Sequence, residues 1–142
     1  MHLFFRRKGS KLVNSLATVA HTVYTDPMRE TQRKGDIAVT QAIATFTQMG
    51  YDVSIPLTES AAYDLIVDTS KQLARIQVRY TSTREVDLRR IHSNTQGYVV
   101  KKSRKNAYDW LFIMKSTGEK YLIKECLFAR RSVNPTIQHI IA

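Results

Sequence analysis

Tyr63-Asp64-Leu65-Ile66-Val67, a polar Asp68-Thr69-Ser70-Lys71, and then Arg75-Ile76-Gln77-Val78-Arg79 form the stretch that decides how this chain folds. Two apolar runs separated by a turn-forming tetrapeptide predict two strands, over residues 62–67 and 73–80. Asp64 stands at the head of the first. Side chains alternate along a strand, so Gln77 and Arg79 share one face of the second. A carboxylate, an amide and a guanidinium are thereby offered to one place.

Those three groups are candidates for work on a phosphodiester. Asp64 can ligate Mg²⁺, Gln77 can orient a water or bind through its amide oxygen, and Arg79 can clamp a phosphate with two N–H groups. A guanidinium does not readily release its proton, so Arg79 cannot take one from an attacking water. Each residue also has a plain structural role to play: Asp64 as an acceptor for its own loop, Gln77 as a satisfied interior amide, Arg79 as a surface cation. Their shared strand spacing, in a strongly basic chain, favours the common site.

The chain has 142 residues, 43% hydrophobic and 24% charged, which suits one domain with an ordinary core. Its net charge of +10 favours a polyanionic partner, nucleic acid or an anionic membrane surface. A single cysteine, Cys126, excludes an internal disulfide framework and a cysteine-based zinc site. Its apolar neighbourhood makes it a small buried hydrophobe rather than a nucleophile. No apolar run is long enough to span a bilayer. The histidines at 2, 21, 92 and 139 have no metal-ligand spacing, and there is no Gly-rich phosphate loop.

Outward from the central strands, Val39, Ala42, Ile43 and Phe46 recur at i, i+3, i+4 and i+7 and predict a helix over 35–49, stopped by Gly50. Residues 51–56 alternate as a strand that Pro56 places at an edge or an end. Residues 110–115 and 120–123 predict a further hairpin around Ser116-Thr117-Gly118-Glu119. Segment 83–96 is polar and reads as a loop or a single helical turn, and 136–142 is too short to assign. Before the core, Ser10 caps a predicted helix running to Tyr24, which Asp26-Pro27 ends. Residues 28–34 read as a charged linker. The division is a basic N-terminal arm over 1–32, carrying an amphipathic helix, and a domain over 33–142. That arm has Arg6, Arg7, Lys8 and Lys11 and no acid in its first 25 residues. Its composition is that of an organellar presequence or of a permanent basic arm, and leaves the compartment open.

Lys34-Gly35-Asp36-Ile37, Gly50-Tyr51-Asp52-Val53, Ile55-Pro56, Tyr63-Asp64-Leu65 and Gln77-Val78-Arg79 resemble the bacterial PD-(D/E)XK endonucleases that include intron-encoded homing endonucleases. Tyr108-Asp109-Trp110-Leu111-Phe112-Ile113 and Tyr121-Leu122-Ile123 are similar to that family's closing strands. The resemblance spans residues 33–125. It implies an α/β fold of the restriction-endonuclease type, a mixed β-sheet core flanked by helices, with duplex DNA as partner and often an oligomer. Carried over by position, the strand aspartate falls on Asp64 and the glutamine on Gln77. The family's helical glutamate falls on Val39 and its lysine on Arg79. Asp36, one helical turn earlier, is the substitute acid, so Asp64 and Asp36 are the candidate Mg²⁺ ligands if cleavage survives. Losing an acid and a lysine together points to a retired cutting site.

Arg84, Arg89, Arg90, Lys101, Lys102, Arg104 and Lys105 make the densest basic region outside the arm and are the candidate nucleic-acid contacts. Tyr80, His92, Asn94, Gln96 and Tyr98 are interleaved with them and can bond phosphates or base edges. Three functions fit: a nucleic-acid-binding protein on a nuclease fold that no longer cuts, an active Mg²⁺-dependent homing endonuclease, or an RNA-binding subunit of a larger nucleoprotein assembly. The first is the expectation carried forward.

Overall fold

The computed structural model describes residues 27–142; residues 1–26 of the basic arm, with its expected helix, lie outside the described residues. Helix α1 runs Pro27–Gln48, eight residues longer at its start than the apolar pattern predicts. Residues 28–34 are therefore its first turns and not a linker. Proline suits the first helical position, where its missing N–H has no intrahelical partner to lose. The Thr31 hydroxyl donates to the Pro27 carbonyl at 3.2 Å, and Glu30 pairs with Lys34 one turn on at 2.7 Å. These turns are solvated, so no apolar stripe marks them in the sequence. Farther along, Ala38, Ala42 and Phe46 are fully buried, with Val39 and Ile43 packed beside them. Gly50, at φ +79, lets the chain leave the helix in a conformation other residues resist.

Five strands follow in one mixed sheet: β1 (Asp52–Ser54), β2 (Leu65–Asp68), β3 (Leu73–Thr81), β7 (Trp110–Lys115) and β8 (Lys120–Ile123), in that spatial order. All neighbours are antiparallel except β3 and β7, which run parallel through the centre. β1 stops at Ser54, before Pro56, and lies at the sheet edge. Alternation along β3 sends Ala74, Ile76 and Val78 into the core beneath α1, with Leu65, Val67, Phe112 and Trp110. Tyr80 packs on the same side, while Arg75, Gln77, Arg79 and Thr81 face the opposite way. There a second core gathers Leu111, Ile113, Tyr121 and Ile123 of the sheet with Val86, Leu88, Tyr108 and Leu127 of the covering segments. Cys126 is half-buried against this second core.

The polar segment after β3 is not a loop or a helical turn. β4 (Val86–Asp87) pairs with β9 (Ser132–Val133), and β5 (Arg90–Asn94) pairs with β6 (Gly97–Lys101) in a hairpin of its own. Asn94 opposite Gly97 leaves a two-residue turn. No other strand or helix among the described residues packs on β5 or β6. The C-terminal residues form a short 3-10 turn, Ile137–His139, and then pair along the outer side of β8 through Tyr121 and Ile140. Among the described residues no helix is long and apolar enough to cross a membrane.

Candidate functional site

Asp64 sits one residue before β2, where that strand parts from β3. Continuing the β2–β3 register, in which Leu65 pairs with Ile76, would set Tyr63 opposite Val78. Instead the carboxylate of Asp64 intervenes. Its Oδ2 accepts the Val78 backbone N–H at 2.7 Å and the Gln77 side-chain amide at 2.6 Å. The Asp64 N–H still donates to the Ile76 carbonyl at 2.8 Å, so this residue closes the last rung and caps the fork. Gln77 is only 5% exposed, and its Oε1 accepts from Arg90 Nη2 at 3.0 Å. Arg90 Nη1 reaches the Ala61 carbonyl at 3.4 Å, which ties the β1–β2 connection to the same network.

Arg79 lies two residues beyond Gln77 on the same face. Its Nη2 donates to the Leu88 carbonyl at 3.3 Å, while its Nε is buried with no hydrogen-bond partner. Burial pushes the Arg79 guanidinium below its ordinary pKa; Asp64 opposes that shift and the nearby Arg90 charge adds to it. Burial likewise raises the Asp64 carboxyl, against the Val78 hydrogen bond and the charges of Arg79 and Arg90. The two effects have one cause. Charges held away from water are expensive unless neighbours complete them.

These residues open onto a cleft of about 660 Å³, between the middle of α1, the β1–β2 connection and the base of the β5–β6 hairpin. Asp36 and Val39 of α1, Asp64, Gln77, Arg79, Arg89 and Arg90 all line it. Asp36 is exposed, and Glu59 adds another exposed carboxylate to the wall. Arg89 is held in a bidentate pair with Asp87, the shortest contact 2.6 Å, and this pairing holds the Asp87 carboxyl down at about 2. Arg84, Lys101, Lys102, Arg104 and Lys105 are exposed and form no ion pair among the described residues. Tyr80 packs against the core under α1 rather than joining them.

A family profile for PD-(D/E)XK endonucleases matches residues 29–130. The chain belongs to this family. Among solved structures it is similar to a bacterial homing endonuclease, I-Ssp6803I, with 28% sequence identity and a TM-score of 0.64. The likeness covers 75% of this chain and 78% of the other. No match is found among curated protein sequences.

The family implies Mg²⁺, and the donors gathered here fit it poorly. Oδ2 of Asp64 already accepts two hydrogen bonds. Among the described residues no three carboxylate, imidazole or thiol groups converge as ligands of a metal ion. The position where the family's helical acid falls holds Val39, half-buried against the apolar core. Two guanidiniums stand beside the one enclosed carboxylate, where a divalent cation would meet their charge. The part played by Arg90 in the Asp64–Gln77 network had no signal in the sequence, since it depends on a chain reversal that spacing does not encode.

Proposed function

We propose that this protein binds nucleic acid, duplex DNA in the first place, through an endonuclease fold whose phosphodiester cleavage is lost or impaired. One observation carries the reading: one oxygen of the half-buried Asp64 carboxylate is committed to the Val78 N–H and the Gln77 amide, and the family's lysine position holds a half-buried arginine. Asp64 then serves as a structural acceptor. Gln77 relays it to Arg90, and Arg79 offers charge but stays protonated and cannot act as a base. The exposed cations Arg84, Lys101, Lys102, Arg104 and Lys105 supply backbone attraction, which makes affinity steeply salt-dependent. The solved relative is a homing endonuclease, which supports nucleic acid as the partner class.

Asp36 and Asp64 share the cleft, which is the observation favouring an active Mg²⁺-dependent endonuclease as the second reading. The test is incubation with a random-sequence duplex library and Mg²⁺ or Mn²⁺, scoring bound and cut molecules separately, with structured RNA in parallel. Binding without cutting is the expected result. Metal-dependent cutting that disappears in Asp64→Asn would replace this reading with the second. Tight binding of RNA alone would move the function to a nucleoprotein subunit.

A further inference from the structure

We propose that Arg79 and Arg90 form a metal-free clamp for one backbone phosphate of duplex DNA, in the place where a metal-dependent relative would use a cation. The inference rests on the nucleic-acid-binding reading and adds the ligand group, the residues and the absence of a metal requirement.

Geometry is the first ground. Arg90 is fixed through Gln77 Oε1 and the Ala61 carbonyl, and Arg79 through the Leu88 carbonyl. Both side chains line one cleft, and each is anchored by only part of its donor set. A guanidinium is a planar fork whose remaining N–H groups match the oxygens of a phosphate. Anchoring one edge of each fork orders it before the ligand arrives, so little rotamer entropy is left to lose on binding.

The second ground is the orphan donor. Arg79 Nε is buried and bonds to nothing in the protein. Native structures rarely leave such a group unsatisfied, and each instance calls for an explanation. The charges that act on Arg79 are those of Asp64, Asp87 and Arg90. Asp87 is already taken by Arg89, which leaves two guanidiniums against the single carboxylate of Asp64. One bound phosphate monoanion would balance that excess and accept from the N–H groups of the two forks that the protein leaves unused. Asp36 and Glu59 lie on the cleft's exposed wall, where solvent screens them.

The clamp is tested with a labelled DNA duplex, titrated in EDTA and in Mg²⁺ over a salt series. Wild-type binding is expected to survive EDTA. Arg79→Met should weaken it about ten- to a hundredfold and lower the salt slope by about one. Arg79→Lys should restore part of the loss, and Lys71→Gln, on the exposed β2–β3 turn, should change neither quantity. Arg79→Met should melt close to wild type, because losing the Leu88 hydrogen bond offsets removal of the buried charge. A lower melting temperature with the same binding loss would mark Arg79 as merely structural and overturn the clamp. So would loss of binding in EDTA. A second probe separates the clamp from the broader reading: dimethyl phosphate in EDTA, followed at the Arg79 Nε–H resonance. A shift of that resonance is expected. No shift overturns the clamp even if duplex binds elsewhere, whereas a shift without duplex binding retains the phosphate site and removes the nucleic-acid function.

Discussion

Two hairpins of this protein are built from similar lengths of chain and have opposite fates. In the β7–β8 hairpin, Leu111, Phe112 and Ile113 are wholly enclosed, Phe112 beneath α1 and its neighbours in the second core. In the β5–β6 hairpin every residue of β6 is exposed, Tyr98 at 81% and Val100 at 52%. The first is held by what packs on both of its faces. Beyond the anchor of Arg90 at its base, the second is held by its own ladder and a tight turn, a combination that is marginal in water without a hydrophobic face to bury. A hairpin that earns so little from burial is free to present its side chains to something outside, and this one starts at Arg90, on the cleft wall, and ends in Lys101 and Lys102.

The contrast can be broken most severely at Phe112. Phe112→Ala should cost about 3–5 kcal/mol of stability in urea unfolding, because the side chain is fully enclosed and its cavity cannot collapse. A loss below about 1 kcal/mol would show the central hairpin to be as dispensable to the core as the outer one. Next in size is Asp64→Ala, which strands the Val78 N–H and the Gln77 amide; a loss of about 1–3 kcal/mol is expected, measured the same way. Tyr98→Ala should leave stability within about 0.5 kcal/mol of wild type. The same variant should nevertheless weaken duplex binding, by about 0.5–1.5 kcal/mol, through loss of a hydroxyl contact to the phosphate backbone. Unchanged affinity in a filter or anisotropy assay would remove the outer hairpin from the interface.

The smallest expected effect lies at the foot of that hairpin, in the Asp87–Arg89 pair. The Asp87 carboxyl is held below its ordinary 3.8, at about 2, chiefly by the Arg89 hydrogen bond. An acid whose folded value is depressed stabilises the fold above its unfolded value, and that contribution is lost as pH falls from 3.8 through about 2. Asp109, lowered by Arg75, changes with the same sign. Asp64 has the opposite sign: its raised carboxyl makes its contribution less unfavourable as pH falls. A carboxyl-carbon NMR titration should find Asp87 titrating near 2 and moving toward 3.8 in Arg89→Gln.

What could be read in the sequence follows the same division. Where an element buries one face it leaves a period, so Val39, Ala42, Ile43 and Phe46 announced α1, and Leu65–Val67 with Ala74–Val78 announced the central strands. The strands around Trp110 and Leu122 were legible for the same reason, and so was the family. Where an element buries nothing it leaves no period. The first turns of α1 are solvated and looked like a linker, and the exposed β6 was left unassigned beside a segment, 83–96, that read as a loop or a helical turn. Within the cleft, Asp64, Gln77 and Arg79 could be placed together by strand spacing. Arg90 could not, because its contact with Gln77 spans thirteen residues and a change of strand. Nor could spacing show that Arg79 Nε would be left without a partner.

The fork at Asp64 has a consequence for how relatives of this chain are sorted. A carboxylate that terminates the β2–β3 ladder answers a backbone donor, and any descendant that keeps the sheet needs an acceptor there whether or not it cuts. Folding alone would preserve the aspartate long after catalysis had gone. Counting that residue as a mark of enzymatic activity would therefore enrol silent members of the family among the active ones. The discriminating positions are those the sheet does not require, the helix site at Val39 and the strand site at Arg79.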